Sequence, residues 1–346
     1  MDNSVHVRFQ APDRSYLALL KKGINQLAVQ AGFQHQRLSE IDLIVAEMAT
    51  NLIKHAGGGD ILVRHFQSTN QSGIELISID NGPGMADTAK MTKDGVSTTS
   101  TLGHGLGTIN RLADQTQIYS IKGWGTILLA RIFLNPAAAL ISERSSGFEF
   151  RSLLVAKPGE TMCGDGCYLK MTPGHIKLFL GDGLGHGPEA HLAVQTAINS
   201  FRHCPDHRPV DILRSMHRSV TKTRGLVGSV IVYDVATQQW NWCGVGNIST
   251  RLSGVTSSKN FLSYNGIIGM NLPATMNDHM LPFERGQLLI MCSDGLQSRW
   301  DHTKYPLIHR YDLTILAAAL YKDYSRQTDD TSLVVGRAHG DHGGTN

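Results

Sequence analysis

Gly181-Asp182-Gly183-Leu184-Gly185-His186-Gly187 is the stretch that decides the fold of the second half of the chain. It sets one acidic residue among glycines, directly after a strand-like apolar run at residues 176–180. An Asp-Gly pair is common in turns, so one such segment alone marks only a turn. The pattern recurs in order along the chain, which argues against coincidence. The recurrences are Asp165 in Cys-Gly-Asp-Gly, Asp294 in Cys-Ser-Asp-Gly, and Asp329-Asp330 before Thr-Ser-Leu-Val-Val.

These acidic residues lie at the ends of predicted strands, where glycines leave room for backbone carbonyls and water. Hard divalent cations such as Mg²⁺ and Mn²⁺ prefer oxygen ligands of this kind. Two such ions about 4 Å apart can activate water and neutralise a phosphate. The sequence therefore predicts a two-metal hydrolytic site. His186 is a candidate general acid, but a histidine between glycines at a helix entrance fits a structural role at least equally well.

With these motifs, residues 148–338 resemble the PPM-type protein phosphatases of the SpoIIE and RsbX kind. The resemblance implies that Asp182 bridges both metal ions and is catalytic, and that the Gly183 carbonyl adds a ligand. Asp294 and Asp329 would complete the ligand set of the second ion. It also implies in-line attack of water on phosphorus without a covalent enzyme intermediate. The predicted metal residues are Asp165, which would act through water or at a third site, Asp182, Gly183, Asp294, Asp329, and Asp330 in support.

In the first half, a helical pattern predicted from the N-cap candidate Ser39 to the Gly57-Gly58-Gly59 stop carries a polar stripe opposite its apolar face. Glu47, Asn51 and Lys54 or His55 recur on that stripe at spacings of three and four. They can meet one ligand. The same stripe could equally be an ordinary solvated face.

Two glycine-rich segments follow this helix. Asp80-Asn81-Gly82-Pro83-Gly84 comes after a predicted strand, and Gly103-His104-Gly105-Leu106-Gly107 opens a helix that continues through Leu112. Amide groups at a helix N-terminus bind anions, which suits a triphosphate. A Gly-x-Gly-x-Gly motif is weak evidence by itself, and the order of the motifs is what carries the prediction.

That order resembles the GHKL (Bergerat) ATPase fold over residues 5–134, and most closely the anti-sigma-factor serine kinases of the RsbT and RsbW type, particularly at residues 94–99 and 105–107. By this resemblance Asn51 would ligate Mg²⁺, Asp80 would bind the adenine amino group of ATP, and Glu47 would act as the base. A Glu at this position fits ATP hydrolysis equally well. The predicted nucleotide residues are Asn51, Lys54, His55, Asp80, Gly82, Gly84, Gly103, Gly105, Gly107 and Thr126.

Together these patterns predict a two-domain α/β protein. Residues 1–134 would form the Bergerat sandwich, residues 135–147 a linker, and residues 148–346 an α-β-β-α phosphatase sandwich. The first helix is expected to bury Tyr16, Leu19, Leu20, Ile24 and Leu27. The other predicted helices cover residues 188–203 and 209–223 and one near the C-terminus. The predicted strands cover residues 5–9, 61–66, 74–79, 116–120, 126–133, 150–156, 167–171, 176–180, 229–233, 240–245, 288–291 and 332–335.

Composition bounds the remaining possibilities. The 346 residues carry 41% hydrophobic and 18% charged side chains, which is enough for two packed cores. A formal net charge of +3 without a basic run disfavours nucleic-acid binding. Five cysteines without Cys-x-x-Cys pairs predict reduced thiols. The sequence shows no apolar run of membrane-spanning length and no signal peptide, so we expect a cytoplasmic protein that does not enter membranes.

We therefore expect a bifunctional switch protein. Its C-terminal domain would remove phosphate from Ser or Thr of a regulatory partner, and its N-terminal domain would add it. The resemblance points to STAS-domain partners in a partner-switching stress pathway, and to a homodimer as a possible assembly. Two alternatives stay open. The N-terminal domain could be a nucleotide-dependent module that binds an anti-sigma or sigma partner or gates the phosphatase. The phosphatase half could be an inactive scaffold.

Overall fold

The computed structural model divides by contacts into two compact units. The N-terminal unit comprises His6–Ser142 and Thr303–Lys322, and the C-terminal unit comprises Met1–Val5, Glu143–His302 and Asp323–Asn346. The expected motif at residues 94–99 and most of the expected linker at residues 135–147 lie outside the described residues. The structure describes residues 4–67, 71–86, 102–136, 147–254 and 258–338.

A five-stranded antiparallel sheet in the order β1-β2-β3-β5-β4 organises the N-terminal unit. Its central strands are apolar and buried because both faces of the sheet are covered. Ile74 and Leu76 point to one side, and Ile77 to the other, each fully buried. The strands are β1 (Val7–Gln10), β2 (Asp60–Gln67), β3 (Ser72–Ile79), β4 (Gln115–Ile121) and β5 (Gly125–Phe133).

In the described ranges, one face of this sheet is covered by helices α1 (Leu17–Gln30), α2 (His35–Ala56) and α3 (Leu102–Leu112). Ile41, Ile44 and Met48 of α2 join α1, α3 and the strands in one apolar core. Fully burying such a side chain contributes about 1.5–3 kcal/mol to stability, so this core fixes α2 against the sheet. The polar stripe of α2 is thereby turned away from the core.

The opposite face of the sheet buries a row of charges. Arg64, Glu75 and Arg131 are cross-strand neighbours on β2, β3 and β5. The Glu75 carboxylate lies 2.8 Å from Arg64 Nε and accepts a 2.7 Å hydrogen bond from Arg131 Nε. Arg131 also donates to both carboxylate oxygens of Asp312, at 2.8 and 3.0 Å. This set, Arg64, Glu75, Arg131 and Asp312, is called the balanced cluster below.

Charge pairing decides the ionisation of the balanced cluster. Burial by itself raises the pKa of Glu75, but Arg64 and Arg131 outweigh it and hold that pKa well below its usual value. Burial likewise opposes the charge of Arg131, yet Asp312 and Glu75 raise its pKa. The pairing therefore favours the charged forms of Glu75 and Arg131, and His6 Nε2 also lies 3.2 Å from Glu75 Oε1.

Two further antiparallel sheets form the C-terminal unit, in the orders β13-β10-β9-β8-β7 and β12-β11-β14-β15-β6. Their facing sides share a core that includes Trp242, Ile231 and Leu178 of the first sheet and Met291 and Val334 of the second. The strands are β6 (Phe148–Val155), β7 (Asp165–Met171), β8 (His175–Gly183), β9 (Leu226–Asp234), β10 (Gln239–Val245), β11 (Ser249–Ser253), β12 (Ser258–Phe261), β13 (His279–Pro282), β14 (Leu288–Cys292) and β15 (Thr331–Ala338).

Helices α4 (Pro188–His203) and α5 (Pro209–Ser219) pack on the outer face of the first of these sheets. Proline at the first helical position starts both helices, since its missing N–H has no partner there anyway. A last helix, α6 (Leu313–Tyr324), buries every residue from Leu313 to Tyr321, so it presents no solvent-facing stripe over that stretch.

Most predicted elements are confirmed, within a few residues, and three details are wrong. Helix α2 begins at His35 rather than after Ser39, whose hydroxyl donates to the His35 carbonyl inside the helix. In α1 the buried residues are Leu20, Ile24 and Ala28, while Leu19 is 68% exposed. The short strands β11, β12 and β13 were not predicted.

Two properties of the described residues complete the fold. None of their helices has the length and apolar character needed to cross a bilayer. All five cysteines are buried free thiols, and burial raises the pKa of Cys243 and of Cys292 to about 12, which keeps them protonated.

Candidate functional site

Asp165 and Asp182 face each other across two neighbouring strands. Asp165 begins β7 and Asp182 lies next to the end of β8, and the two are direct cross-strand partners. Directly opposed carboxylates repel each other, so a sheet places them this way only at a cost in stability. Glycines flank both residues, and at Gly183 a Cβ atom would stand 2.4 Å from the Ala190 carbonyl oxygen of α4. Only glycine fits there.

The negative field at Asp182 comes from several strands at once. Burial raises the pKa of Asp182, and the charges of Asp165, Asp294 and Asp329 raise it further, to about 10. The four carboxylates of Asp165, Asp182, Asp294 and Asp329 thus converge on one region, and are called the acidic cluster below. At its rim, the Asn247 side-chain amide donates to Asp294 Oδ2 at 2.8 Å.

Asp165 is the deepest member of the acidic cluster, at 2% exposure. Ser293 Oγ donates to its Oδ2 at 2.7 Å, and the Ser332 amide donates to Ser293 Oγ in turn. Its Oδ1 atom is buried and has no hydrogen-bond partner among the described residues. Burial is the main reason that the pKa of Asp165 is raised to about 7. A buried acceptor left without a partner is what a cation would satisfy.

Asp330 plays a different part from its neighbour Asp329. Its Oδ1 accepts from the Lys157 amide at 2.8 Å and its Oδ2 accepts from the Gly164 amide at 2.9 Å. The side chain therefore fixes the loop that leads into Asp165. This geometry suits an orienting role, and a direct metal contact by Asp330 stays a prediction.

The residues of the acidic cluster fit divalent cations by their chemistry. They offer oxygen atoms only, carry an excess of negative charge, and include an unsatisfied buried acceptor. No three such side chains in the described part of the chain already stand close enough together to form a finished ligand set.

Two polar side chains border the Gly181–Gly187 turn. His186 Nδ1 lies 2.7 Å from Glu160 Oε1, and its side chain is 47% exposed. Arg224 pairs with Glu189 at the start of α4, and one of its terminal nitrogens would lie 3.0 Å from a Cβ atom placed on Gly185. Sequence reasoning missed Arg224 and Ser293, because their contacts join distant strands and loops.

In the N-terminal unit, the predicted helix stripe meets the glycine-rich helix entrance. A Cβ atom on Gly105 would stand 2.6 Å from Glu47 Oε2 and 3.7 Å from Asn51 Oδ1. Helix α3 can therefore approach α2 this closely only because residue 105 has no side chain. Gly103 and Gly107 lie in the same first turns of α3. The structure thus brings Glu47, Asn51 and Gly105 together.

Asp80 is held by the loop and hairpin around it. Its Oδ1 accepts from the amides of Gly82 at 2.8 Å and Thr126 at 3.1 Å. Both bonds use one oxygen, so Oδ2 has no hydrogen-bond partner within the described ranges and is available to a ligand. Burial raises the pKa of Asp80, although these amides and Lys322 oppose the shift.

Close backbone approaches hold this pocket wall together. A Cβ atom on Gly84 would lie 2.0 Å from the Ile121 carbonyl oxygen, and one on Gly125 would lie 2.2 Å from the Asp80 carbonyl oxygen. Both glycines have positive φ, at 66° and 123°. The Thr126 hydroxyl pairs with Ser120 Oγ at 2.9 Å, so Thr126 reaches Asp80 through its backbone.

Lys54 and His55 lie at the exposed C-terminal end of α2. Partial burial and the neighbouring Lys54 lower the pKa of His55, so this imidazole is neutral near pH 7. No hydrogen bond or ion pair within the described ranges joins these two side chains to Asp80 or Glu47, and their nucleotide roles stay predictions.

Two family models match the chain, one in each half. Residues 10–132 match the histidine kinase-like ATPase domain, and residues 172–339 match stage II sporulation protein E (SpoIIE). The serine/threonine-protein kinase RsbT of Bacillus subtilis (strain 168) is 34% identical over 104 residues, which cover 30% of this chain and 78% of RsbT. The chain belongs to the RsbT family.

Fused to this RsbT-like domain is a SpoIIE-like phosphatase domain. The phosphoserine phosphatase RsbX of Bacillus subtilis (strain 168) is 23% identical over 144 residues, covering 40% of this chain and 70% of RsbX. A structure solved in work on the bacterial stressosome, as a modular system adapted to control secondary messenger signalling, is similar with a TM-score of 0.51 and 31% identity. The matched region covers 55% of this chain and 99% of the chain in that structure. The predicted fold class and the predicted fusion of a kinase-like with a phosphatase-like domain are confirmed.

Proposed function

We propose that the chain is a metal-dependent phosphoserine/phosphothreonine protein phosphatase with an ATP-binding, serine kinase-like domain, acting in a partner-switching pathway. The observation that carries the phosphatase proposal is the acidic cluster, where burial and the charges of three carboxylates raise the pKa of a fourth, Asp182. The similarity to RsbX and to SpoIIE supports the substrate class.

In the phosphatase site, the proposal gives each candidate residue its own role. Divalent cations, Mg²⁺ or Mn²⁺, when bound would supply positive charge to the phosphoryl oxygens and lower the pKa of water. Asp182 would hold both ions, with Asp294, Asp329 and the Gly183 carbonyl as further ligands. Asp165 would bind through its unsatisfied Oδ1. Ser293 orients that carboxylate, and Asp330 fixes the loop before it.

Binding of the phosphorylated side chain also needs a cation from the protein. Arg224 lies beside the Gly181–Gly187 turn and already pairs with a carboxylate. A guanidinium matches the oxygens of a phosphate in the same way. We include Arg224 in the proposal as a phosphate-binding residue.

In the kinase-like domain, Asp80 Oδ2 would accept from the adenine amino group, and Thr126 and Gly82 keep that carboxylate in place. Gly84 shapes the pocket wall, while Gly103, Gly105 and Gly107 would offer amides to the phosphates. Asn51 would hold Mg²⁺, and Glu47 would accept the proton of the attacking hydroxyl. Glu47 and Asn51 stand side by side against Gly105, which supports a shared task.

The partner proposed for both domains is a STAS-domain protein, or another regulator phosphorylated on Ser or Thr, in the cytoplasm. The similarity to RsbT and to a stressosome-related structure supports this choice. Added phosphate would act on such a partner through its charge and its hydrogen-bond acceptors. A homodimer is part of the proposal and is tested by light scattering of the purified chain.

The phosphatase proposal is tested by hydrolysis of p-nitrophenyl phosphate and a phosphoserine peptide with Mg²⁺ or Mn²⁺. We expect metal-dependent turnover by the wild type, its loss in Asp182→Asn, and its retention in the control Asp211→Asn, since Asp211 lies on α5 within surface ion pairs. Turnover that survives in Asp182→Asn, or that needs no metal, would rule out the two-metal site.

A second assay on the same protein distinguishes the two hypotheses for the N-terminal domain, a serine kinase and a non-catalytic ATP-binding module. Phosphate transfer from labelled ATP to a STAS-domain partner, lost in Glu47→Gln but with ATP binding retained, supports the kinase. ATP binding without transfer or turnover supports instead the non-catalytic module that binds an anti-sigma or sigma partner. Binding that persists unchanged in Asp80→Asn would contradict the adenine role of Asp80.

A further inference from the structure

One segment of the SpoIIE-like sequence folds with the RsbT-like domain. Thr303–Lys322 belongs to the N-terminal unit by its contacts, although it lies within the SpoIIE match. In the chain it separates Asp294 from Asp329, two proposed metal ligands. Only residues 295–302 and 323–328 lie between this segment and those carboxylates. These short connections leave little chain to take up a displacement of the segment before it reaches Asp294 or Asp329.

A buried charge pair anchors the middle of the segment. Asp312 joins the balanced cluster through Arg131, which also donates to the Thr314 hydroxyl at 2.8 Å. The Asp312 amide donates to Gln117 of β4 at 2.8 Å, and its carboxylate accepts from the Thr314 amide at the start of α6. The start of α6 is thus fixed to the sheet of the ATPase-like domain.

Aromatic rings and one lysine anchor the segment to the β4–β5 turn. Tyr305 packs edge-on against Trp124, with ring centres 5.7 Å apart, and the Tyr119 hydroxyl donates to the Pro306 carbonyl at 3.0 Å. Lys322 Nζ donates to the Trp124 carbonyl at 2.9 Å and lies 4.1 Å from the centre of the Trp124 ring. This ammonium therefore contacts both the backbone and the ring of one residue.

The same turn forms the wall of the proposed adenine site. The Gly123 amide donates to the Pro83 carbonyl at 2.7 Å, and the Asp80 amide donates to the Thr126 carbonyl at 3.0 Å. Gly125, directly after Trp124, approaches the Asp80 backbone so closely that no side chain fits. Trp124 is therefore held between residues that contact Asp80 and the ammonium of Lys322.

We infer that Lys322 is a positioning residue of the nucleotide site, and that nucleotide binding at Asp80 and the phosphatase acidic cluster are coupled through Trp124 and Thr303–Lys322. This inference rests on the proposed function. Adenine bound at Asp80 restrains the 123–126 turn, the turn restrains Lys322, and Lys322 lies near the end of α6, shortly before Asp329. Coupling of this kind is reciprocal, so occupancy of the phosphatase site changes nucleotide affinity by the same factor.

The test uses the full-length protein with ADP and a non-hydrolysable ATP analogue as probes. Nucleotide dissociation constants are measured by calorimetry, and kcat/KM on a phosphoserine peptide is measured with and without nucleotide at saturating Mn²⁺. The variants are Lys322→Met, the conservative Lys322→Arg, and the control Lys122→Met, which removes an exposed lysine from the same hairpin turn. Hydrogen exchange of residues 303–322 in the wild type, with and without nucleotide, needs no variant.

We expect nucleotide to change wild-type kcat/KM by about 5-fold or more, the lower end of ordinary coupling. Lys322→Met should weaken nucleotide binding several-fold and remove this response, Lys322→Arg should restore part of it, and Lys122→Met should behave as the wild type. Nucleotide should also slow exchange in residues 303–322.

Two results overturn the inference in different ways. A wild type that binds nucleotide and hydrolyses the phosphopeptide, but with neither kcat/KM nor exchange in residues 303–322 responding to nucleotide, disproves the coupling and leaves the proposed function intact. A wild type that binds no nucleotide, or that has no metal-dependent turnover, disproves the proposed function, and the coupling with it. A Lys322→Met variant that matches Lys122→Met in every readout removes Lys322 from the nucleotide site.

Discussion

Two buried groups of charges invite comparison. The balanced cluster around Glu75 pairs two carboxylates with two guanidinium groups, and the pKa of Glu75 is held well below its usual value. The acidic cluster around Asp182 gathers four carboxylates, and the pKa of Asp182 is raised to about 10. A buried group whose charges are paired needs no ligand to be stable in the fold. A buried group with unmatched charge costs stability until a ligand of opposite charge arrives, which makes the acidic cluster a candidate binding site.

The largest expected effect concerns Asp182. We expect Asp182→Asn to lower kcat/KM on a phosphoserine peptide by about 10³-fold, because loss of a bridging ligand removes several kcal/mol of transition-state stabilisation. The same change should raise the melting temperature in EDTA, since an amide needs no proton to lie among the carboxylates, whereas Asp182 must take one up on folding near pH 7. Calorimetry in EDTA checks this pairing of lost activity with gained stability. A variant destabilised in EDTA would mean that the acidic cluster is not repulsive.

Breaking the balanced cluster should have the opposite signature. Arg131→Met leaves the buried carboxylates of Glu75 and Asp312 partly uncompensated, and we expect a loss of about 3–5 kcal/mol in the free energy of unfolding. Urea denaturation measures it. Arg208→Met is the control, because that side chain is 67% exposed and its loss should be felt little. Equal free energies of unfolding for the two variants would show that Arg131 is not needed to compensate the carboxylates of Glu75 and Asp312.

Stability should also depend on pH with a sign set by the acidic cluster. The pKa values of Asp165 and Asp182 in the folded protein, about 7 and about 10, exceed the ordinary value of 3.8. The folded state therefore binds more protons than the unfolded state above pH 4, so stability falls as the pH rises through this window.

The measurement is a series of melting temperatures between pH 5 and pH 9 in EDTA. We expect a steady fall with rising pH, a flatter profile for Asp182→Asn, and a smaller fall with Mg²⁺, which replaces the protons. Glu75 contributes with the opposite sign, because its lowered pKa makes its stabilisation disappear only in acid. A profile in EDTA that rises with pH would contradict the pKa shifts.

The smallest effect on stability is expected at Gly105. An alanine there would press against Glu47 Oε2, the mobile end of a side chain, so the fold should survive with little change in melting temperature. Displacing Glu47 should nevertheless reduce ATP-dependent phosphate transfer about tenfold. Gly174→Ala is the matched control, since a Cβ atom at Gly174 meets nothing within 4 Å. Unchanged transfer in Gly105→Ala would separate Glu47 from the chemistry.

Local patterns predicted most of the fold. Alternating apolar residues identified the long strands, and proline at the first helical position marked α4 at the residue where it starts. Ser39 misled the prediction of α2, because a serine inside a helix can donate to the carbonyl four residues earlier instead of capping. The strands β11 to β13 lie at or near sheet edges, and β12 and β13 are only four residues long, too short to give a periodic signal.

Sequence reasoning could name candidate site residues where one short motif carries the pattern. Asp182 and Asp80 were proposed from their glycine neighbours, and their roles stay predictions. Ser293 was missed, because its hydroxyl donates to Asp165, a residue that another strand brings close. The packing of Thr303–Lys322 with the ATPase-like sheet was not predictable either, since Asp312 and Arg131 are far apart in sequence and no local pattern links them.

The path of the chain through residues 303–322 bears on how such a protein can be divided or recombined. A fragment ending near residue 142 would lack this segment, and Arg131 would lose its Asp312 partner. We expect such a fragment to be less stable than the same residues in the full-length protein. Exchange of the first half for another ATPase would also require a sheet surface that accepts the same segment. We therefore expect that a division of the chain at the linker does not yield two self-sufficient halves.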